Sequence, residues 1–306
     1  MVDLKISIPD DFLKEEVRCG YTVSKKMKEV WAVQLDLFAE FDRVCKKYNI
    51  TYIASGGTML GAVRHHGYIP WDDDMDLMMM RDQYEKLCKV APQEFKHPYF
   101  YQTEKTDPGF HRWFARLRNS ETTAIQKREK PYHPTYNQGI FIDIFPMDNV
   151  IEDECLFQKQ IKDAKKYTNL YSYLHSIESN FRSDEDSLEK KFGKQLLHKL
   201  FGKMIQKRQL TSSIYKKTDG IYQRYNHIET DLISLLSFQI DNLGHAIHRK
   251  DMGNIINQEF EFLKIPIIAN YDEHLKRKYG DYMTPMKNPN YHGDTIFDTS
   301  IPYSSL

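Results

Sequence analysis

Apolar residues along the first half of the chain follow two kinds of spacing. Over residues 24–48 they recur at the spacing of one helix face, with charged residues between them, which predicts an amphipathic helix. Shorter apolar runs predict strands over residues 51–54, 72–80, 99–102, 113–118 and 140–145. Helices are also predicted over residues 58–65 and 81–91. The first half is therefore predicted to mix α and β structure.

The pattern changes after residue 150. Residues 152–179 and 183–225 are charged, rich in helix-forming residues and free of proline, which predicts long helices. Residues 260–268 predict a strand that returns to the sheet, and residues 272–279 predict a helix after it. The second half is therefore predicted to be mostly helical.

These elements predict a fold with both α and β structure, α/β in the broad sense and α+β in the narrower one. A mixed sheet with flanking helices is followed by a mostly helical second part. We expect three regions. They are a mixed core over residues 1–150, a helical subdomain over residues 151–240, and a C-terminal segment over residues 241–306 that returns to the core.

Composition narrows the class of protein. Forty-three basic residues balance 43 acidic ones, which gives no overall charge to attract nucleic acid or anionic lipid. The cysteines are scattered without a C-x-x-C pair, which argues against structural zinc and favours reduced thiols. No apolar run has the length of a membrane span or a signal peptide. We expect a cytoplasmic protein, either free or peripheral at the inner face of the membrane, with no nucleic-acid partner.

The most informative segment is Pro-Trp-Asp-Asp-Asp-Met-Asp-Leu-Met-Met-Met, which begins at Pro70. In an extended strand Asp74 and Asp76 share one face, while Met75 and Leu77 point into the core. Like charges this close require a cation, a proton or screening by water. Mg²⁺ or Mn²⁺ with oxygen ligands is one solution. A solvated acidic turn over residues 72–74 is the other reading.

A second acid, Asp143, lies in the middle of the apolar segment Ile-Phe-Ile-Asp-Ile-Phe. Burying an unpaired carboxylate costs several kcal/mol, so this side chain needs a partner. The partner is either a neighbouring arginine or the cation that Asp74 and Asp76 require. In the second case three carboxylates could orient phosphates through one metal ion.

Two glycines follow the predicted strand at residues 51–54, in Ser55-Gly56-Gly57-Thr58. The backbone N–H groups of such a strand-turn-helix junction can hold a phosphate. This turn, the Asp-x-Asp strand and a later acid occur in the same order in the nucleotidyltransferase superfamily. The segment from Gly56 to Leu77 closely resembles the LicD family, which includes phosphorylcholine transferases and fukutin-type ribitol-phosphate transferases. Further similarity lies in residues 116–123, 139–148 and 279–283.

The resemblance implies a nucleotidyltransferase-like fold and assigns roles to the acids. Asp74, Asp76 and Asp143 would hold Mg²⁺ or Mn²⁺. Asp72 or Asp73 would support the metal or act as general base for the acceptor hydroxyl. Together Asp72, Asp74, Asp76 and Asp143 form the predicted catalytic set.

The predicted substrate-binding residues lie around these acids, and they are Gly56, Gly57, Thr58, Arg64, Trp71, Arg116 and Arg118. The arginines could bind phosphates, and ordinary surface ion pairs are the alternative for each. The spacing of Arg116 and Arg118 places them on one strand face, which favours a functional role, whereas the role of Arg64 rests mainly on the family resemblance. A choline group would need aromatic rings, for which Trp71, Trp113 and Tyr132 are candidates beside the alternative of core packing. Residues 291–294 could cover the site or form a surface turn.

The function that the resemblance implies is metal-dependent transfer of phosphorylcholine, or a related phosphoalcohol, from CDP-choline or another CDP-alcohol. The acceptor would be a cell-surface glycan such as lipopolysaccharide or a teichoic acid precursor, with or without a lipid carrier. Two alternatives stay open. One is a nucleotidyltransferase that releases pyrophosphate, and the other is a non-catalytic protein that binds a glycan or nucleotide.

Overall fold

The computed structural model describes residues 1–127, 129, 135–178, 193, 196, 199–200, 208–286 and 294–305. Its helices are α1 Lys25–Lys47, α2 Gly56–His65, α3 Arg81–Glu94, α4 Glu154–Glu178, α5 Gln209–Tyr222, α6 Leu236–Gln239 and α7 Tyr271–Tyr279. Its strands are β1 Glu16–Arg18, β2 Tyr21–Val23, β3 Ile53–Ala54, β4 Asp76–Met80, β5 Tyr99–Gln102, β6 Ala115–Asn119, β7 Thr123–Gln126, β8 Ile140–Asn149, β9 Leu232–Ser234, β10 Ile247–His248, β11 Ile255–Phe260, β12 Leu263–Ile268 and β13 Thr295–Asp298. The predicted mixture of α and β structure is confirmed.

A seven-stranded mixed sheet forms the centre of the described chain. Strand β8 lies parallel to β4 and antiparallel to β6 and β9. All ten residues of β8 are buried, as expected for a strand that is covered on both faces. Strands β3, β5 and β10 extend the sheet through β4, β6 and β9 respectively.

Helix α1 packs against β6 and β8. It begins after Ser24, whose hydroxyl accepts a hydrogen bond from the Met27 N–H at 3.2 Å and so caps the helix. Its apolar side, which includes Val30, Trp31 and Leu35, is fully buried. The predicted helix over residues 24–48 and the predicted strand over residues 99–102 are confirmed. The other predicted elements of the first half occur with ends shifted by a few residues.

The strand predicted over residues 72–80 begins only at Asp76, so the prediction was wrong for residues 72–75. The reason lies in helix α1. Trp31 donates from its indole N–H to the Asp72 carbonyl at 3.0 Å, and Gln34 donates to the Asp73 carbonyl at 2.9 Å. These carbonyls are therefore bound by side chains of a helix. Asp72, Asp73 and Asp74 form an acidic loop in front of the strand.

Residues 260–268 do not return to the central sheet as predicted. Strands β11 and β12 pair with each other in a separate hairpin that packs against α2 and β3. The turn between them contains Glu261, whose φ of 54° lies in the left-handed region and allows the chain to reverse direction within a short turn. Glu261 accepts two hydrogen bonds from Arg18 and one from the Tyr68 N–H, the last at 3.0 Å. The hairpin thereby fixes the loop that leads to the acids.

Helices α4 and α5 pack together over a second, smaller core, which contains Trp113 and Phe157. The helix predicted over residues 152–179 corresponds to α4. The helix predicted over residues 183–225 is observed in α5, and most of its first part lies outside the described residues. No helix in the described part of the chain is long and apolar enough to cross a membrane. The three predicted regions remain a prediction.

Two histidines connect helix α4 with the central core. The rings of His111 and His175 stack with centroids 4.5 Å apart. Burial, followed by the charge of Arg112, lowers the pKa of His111 from 6.5 to about 3. Burial, followed by Arg208 and Arg112, lowers the pKa of His175 to about 4. Both rings are therefore neutral in the folded protein at neutral pH.

Acid is expected to destabilise the protein through His111. Unfolded histidine binds a proton below pH 6.5, whereas folded His111 binds one only near pH 3, so stability falls as pH decreases through this window. His111→Asn should reduce that fall by up to about 1.4 kcal/mol per pH unit. Asparagine tolerates the φ of 49° at this position and keeps a donor for the Gly109 carbonyl.

Urea unfolding between about pH 7 and about pH 4 gives the free energy of unfolding at each pH. The effect is measured as a change in the slope of that free energy against pH. The matched control is His227→Asn, because His227 is exposed. The control should leave the pH dependence of stability unchanged. A His111→Asn protein with the wild-type slope would contradict the assignment.

Candidate active site

The acids converge where β4 and β8 begin to run side by side. Asp76 on β4 lies directly opposite Asp143 on β8 in the parallel pair, so both side chains leave the same face of the sheet. Arg116 on β6 lies opposite Asp143 on its other side. Asp76, Asp143 and Arg116 thus form one row across three neighbouring strands.

Asp143 has an arginine partner in this row. Arg116 donates from Nε to Asp143 Oδ1 at 2.6 Å, and it is only 3% exposed. The guanidinium also lies 3.8 Å from the centre of the Phe141 ring. The arginine alternative for Asp143 is therefore observed. Asp143 also lies directly opposite Asp76, so the two carboxylates could share a cation. A metal role for Asp143 stays a prediction.

The acidic loop brings three further carboxylates together. Asp72, Asp73 and Asp74 each offer an oxygen, and these three oxygens lie within 4.8 Å of one another. The predicted ligand set was Asp74, Asp76 and Asp143, whereas the most compact group of possible ligands in the described chain is this loop. Asp74 is common to both sets.

The pKa values of these carboxyls reflect their burial and their closeness to one another. Burial, followed by the charge of Asp74, raises the pKa of Asp72 well above its usual value. Burial, followed by the charges of Asp74 and Asp143, also raises the pKa of Asp76. A divalent cation would relieve this repulsion, and carboxylate oxygens are the ligands that Mg²⁺ and Mn²⁺ prefer. The residues present therefore fit a site for such an ion.

The glycine turn is hydrogen-bonded to the acidic strand. The Ser55 N–H donates to the Asp76 carbonyl at 2.9 Å, and the Asp76 N–H donates to Thr58 Oγ1 at 2.8 Å. Gly56 has a φ of 53°, which favours glycine. A Cβ on Gly57 would lie 2.8 Å from Asp72 Oδ2. Both glycines therefore let the turn lie against the acids.

Two residues of this site were missed by sequence reasoning. Lys278 lies near the end of α7, and its Nζ donates to Nδ1 of His245 at 2.9 Å. Burial lowers the pKa of Lys278 to about 8 and that of His245 to about 3. Burial, followed by Asp76, raises the pKa of the adjacent Tyr279. The motif at residues 279–283 was a usable signal, because Lys278 directly precedes it.

The predicted substrate-binding arginines donate hydrogen bonds to other groups of the protein. Arg64 donates from Nη1 to the Tyr282 carbonyl at 2.6 Å and so ties α2 to the segment after α7. Arg118 is 1% exposed and donates to Gln102 and to the Gly139 carbonyl. Burial, followed by the charge of Arg116, lowers the pKa of Arg118 to about 9. A phosphate contact for these arginines stays a prediction.

The aromatic candidates lie in different places. Trp71 is half-buried beside the acidic loop, and its ring contacts Tyr21 edge to face with centroids 6.1 Å apart. Trp113 is 8% exposed and packs in the second core against Tyr215, so it is a core residue and does not belong to this site. Tyr132 lies outside the described residues, as do residues 291–293 of the predicted cover.

Comparison with known proteins gives two kinds of match. The family described as "LicD/FKTN/FKRP, nucleotidyltransferase domain" matches residues 49–179, which include the glycine turn, the acidic loop and strand β8. Two uncharacterised proteins, from Rickettsia prowazekii and Rickettsia typhi, are 42% and 40% identical over 57 residues, or 19% of this chain and 21% and 18% of theirs.

A longer match comes from Haemophilus influenzae. Its protein named lipopolysaccharide cholinephosphotransferase LicD is 30% identical over 262 residues, which cover 84% of this chain and 91% of that protein. The similarity therefore extends beyond the acidic residues through most of the chain. On this evidence the chain belongs to the LicD family.

Proposed function

We propose that this protein transfers phosphorylcholine from CDP-choline to a cell-surface glycan of the lipopolysaccharide type. The observation that carries the proposal is that Asp72 and Asp74 of the acidic loop and the paired strand residues Asp76 and Asp143 gather beside a glycine turn. The Haemophilus influenzae relative is named a lipopolysaccharide cholinephosphotransferase, which supports phosphorylcholine as the group transferred and lipopolysaccharide as the acceptor. A teichoic acid precursor is the other acceptor class.

The protein's own residues would divide the chemical work. Asp74, Asp76 and Asp143 would hold Mg²⁺ or Mn²⁺, which would supply positive charge to the donor's diphosphate. The backbone of Gly56 and Gly57 would lie against the phosphates. Trp71 would offer its ring to the quaternary ammonium, which has no hydrogen atom to donate.

In the transfer step an acceptor hydroxyl oxygen forms a bond to the phosphorus that carries choline. The bond from that phosphorus to the bridging oxygen breaks, and CMP leaves with the electron pair. Asp72, in its ionised form, takes the hydroxyl proton, since the burial and the neighbouring acids that raise its pKa make its carboxylate a stronger base. Holding donor and acceptor in line contributes to the rate, because the reacting groups are then oriented before the bond forms.

The direct test is release of CMP. Purified protein with Mg²⁺ or Mn²⁺ and a lipopolysaccharide acceptor should release CMP from CDP-choline, with less from CDP-glycerol and CDP-ribitol. Chelation of the metal by EDTA should abolish release, and addition of Mg²⁺ should restore it.

The controls separate this activity from its alternatives. Reactions without acceptor measure simple hydrolysis of the donor. Pyrophosphate release from CTP and phosphocholine would support a nucleotidyltransferase and contradict the proposal. Metal-independent binding of glycan without any turnover would favour a non-catalytic binding protein.

A further inference from the structure

A lysine faces the acids from the C-terminal part of the chain. A Cβ built on Gly56 would lie 3.6 Å from Lys278 Nζ, 3.7 Å from Asp76 Oδ2 and 3.8 Å from His245 Cε1. The three side chains therefore border one small space over the Gly56 backbone. Glycine leaves that space open, and any other residue would place a side chain in it.

The ammonium of Lys278 has a neutral hydrogen-bond partner. Among the described residues that partner is the His245 ring, while the negative charge of Asp76 acts on Lys278 without a hydrogen bond between the two in that part of the chain. The ring keeps the ammonium in place and adds no negative charge. Arg277 donates to the Ala246 carbonyl and so links the segment that carries His245 to helix α7.

The chemistry of the space suits a phosphate group. On one side lie Asp76 and the other carboxylates, which fit a divalent cation, and on the other side lies an ammonium. A phosphate has several oxygens, so one can face a metal ion while another accepts a hydrogen bond from a lysine. The first turn of α2 begins at Gly56, beside this space, and the Ser55 side chain does not cap its N–H groups.

We propose that Lys278 binds a non-bridging phosphate oxygen of the donor's diphosphate, and that His245 is the residue that positions it. The inference rests on the proposed function only for the identity of the donor. A competing role is purely structural, in which Lys278 does no more than offset the charge of Asp76. The two roles differ in whether loss of Lys278 weakens binding of a free diphosphate.

The test measures binding of inorganic pyrophosphate with Mg²⁺ by calorimetry. Lys278→Met should weaken binding about tenfold or more, whereas Lys278→Arg, which keeps the charge, should recover part of the affinity. The matched control is Lys276→Met, because Lys276 lies on the same helix and is 65% exposed. The control should bind as the wild type does.

A second measurement needs no variant. Amine-reactive labelling followed by mass spectrometry should show Lys278 protected by pyrophosphate with Mg²⁺, while Lys276 stays equally reactive. Unchanged affinity in Lys278→Met, unchanged labelling of Lys278, or a wild type that does not bind pyrophosphate would overturn the inference. Pyrophosphate binding through Lys278 without CMP release from CDP-choline would uphold the inference and reject the proposed donor.

Discussion

Replacing Asp76 by asparagine is expected to lower the rate of CMP release by a factor on the order of 10³. The same change should raise the stability of the metal-free protein. The two effects have one cause. Burial and the charges of Asp74 and Asp143 raise the pKa of Asp76, so its charged form is unfavourable in the absence of a cation. Asparagine has the same shape and no charge, and the backbone bonds to Ser55 and Thr58 are unaffected.

The stability gain should be about 1 kcal/mol at neutral pH in EDTA, measured by urea unfolding. Mg²⁺ should raise the melting temperature of the wild type and have much less effect on the variant. Asp10→Asn is the control, because Asp10 is exposed and far from the site in sequence. A variant that loses stability in EDTA and still responds to Mg²⁺ would exclude Asp76 as a ligand.

Local patterns predicted the parts of the fold that depend on neighbouring residues. Helix α1 followed from its apolar spacing, and β5 followed from a short apolar run. The start of β4 depended instead on Trp31 and Gln34, which lie about 40 positions earlier in the chain and bind the carbonyls of the acidic loop. Contacts between residues so far apart in the chain cannot be predicted from the local spacing of apolar residues.

Sequence patterns predicted the acids of the candidate site but not Lys278, because the position of Lys278 also depends on contacts between distant parts of the chain. Acids within apolar strands are conspicuous in a sequence, because burying a carboxylate needs compensation. Lys278 was not conspicuous, because α7 is rich in charged residues and a lysine there is typical of a solvated helix surface. Only the packing of α7 brings this lysine to Gly56. The choice of partner for Asp143 likewise depended on the pairing of β6 with β8.

Asp143→Asn should behave differently from Asp76→Asn, although both replace an acid of the same row. Asp143 is paired with buried Arg116, so its neutralisation removes the countercharge that is hydrogen-bonded to a buried guanidinium. We expect the free energy of unfolding to fall by about 3 kcal/mol, in urea titrations at neutral pH. Asp11→Asn, which breaks a surface pair with Lys14, should cost less than about 1 kcal/mol.

The double variant Asp143→Asn with Arg116→Met separates the two roles of Asp143. Removal of both charges should restore most of the lost stability, because no unpaired charge stays buried. Activity should remain lost if Asp143 also holds the metal ion, and the response of the melting temperature to Mg²⁺ should stay reduced. Recovery of CMP release in the double variant would instead mean that Asp143 serves only as the partner of Arg116, and that the metal ligands are Asp76 and the acidic loop.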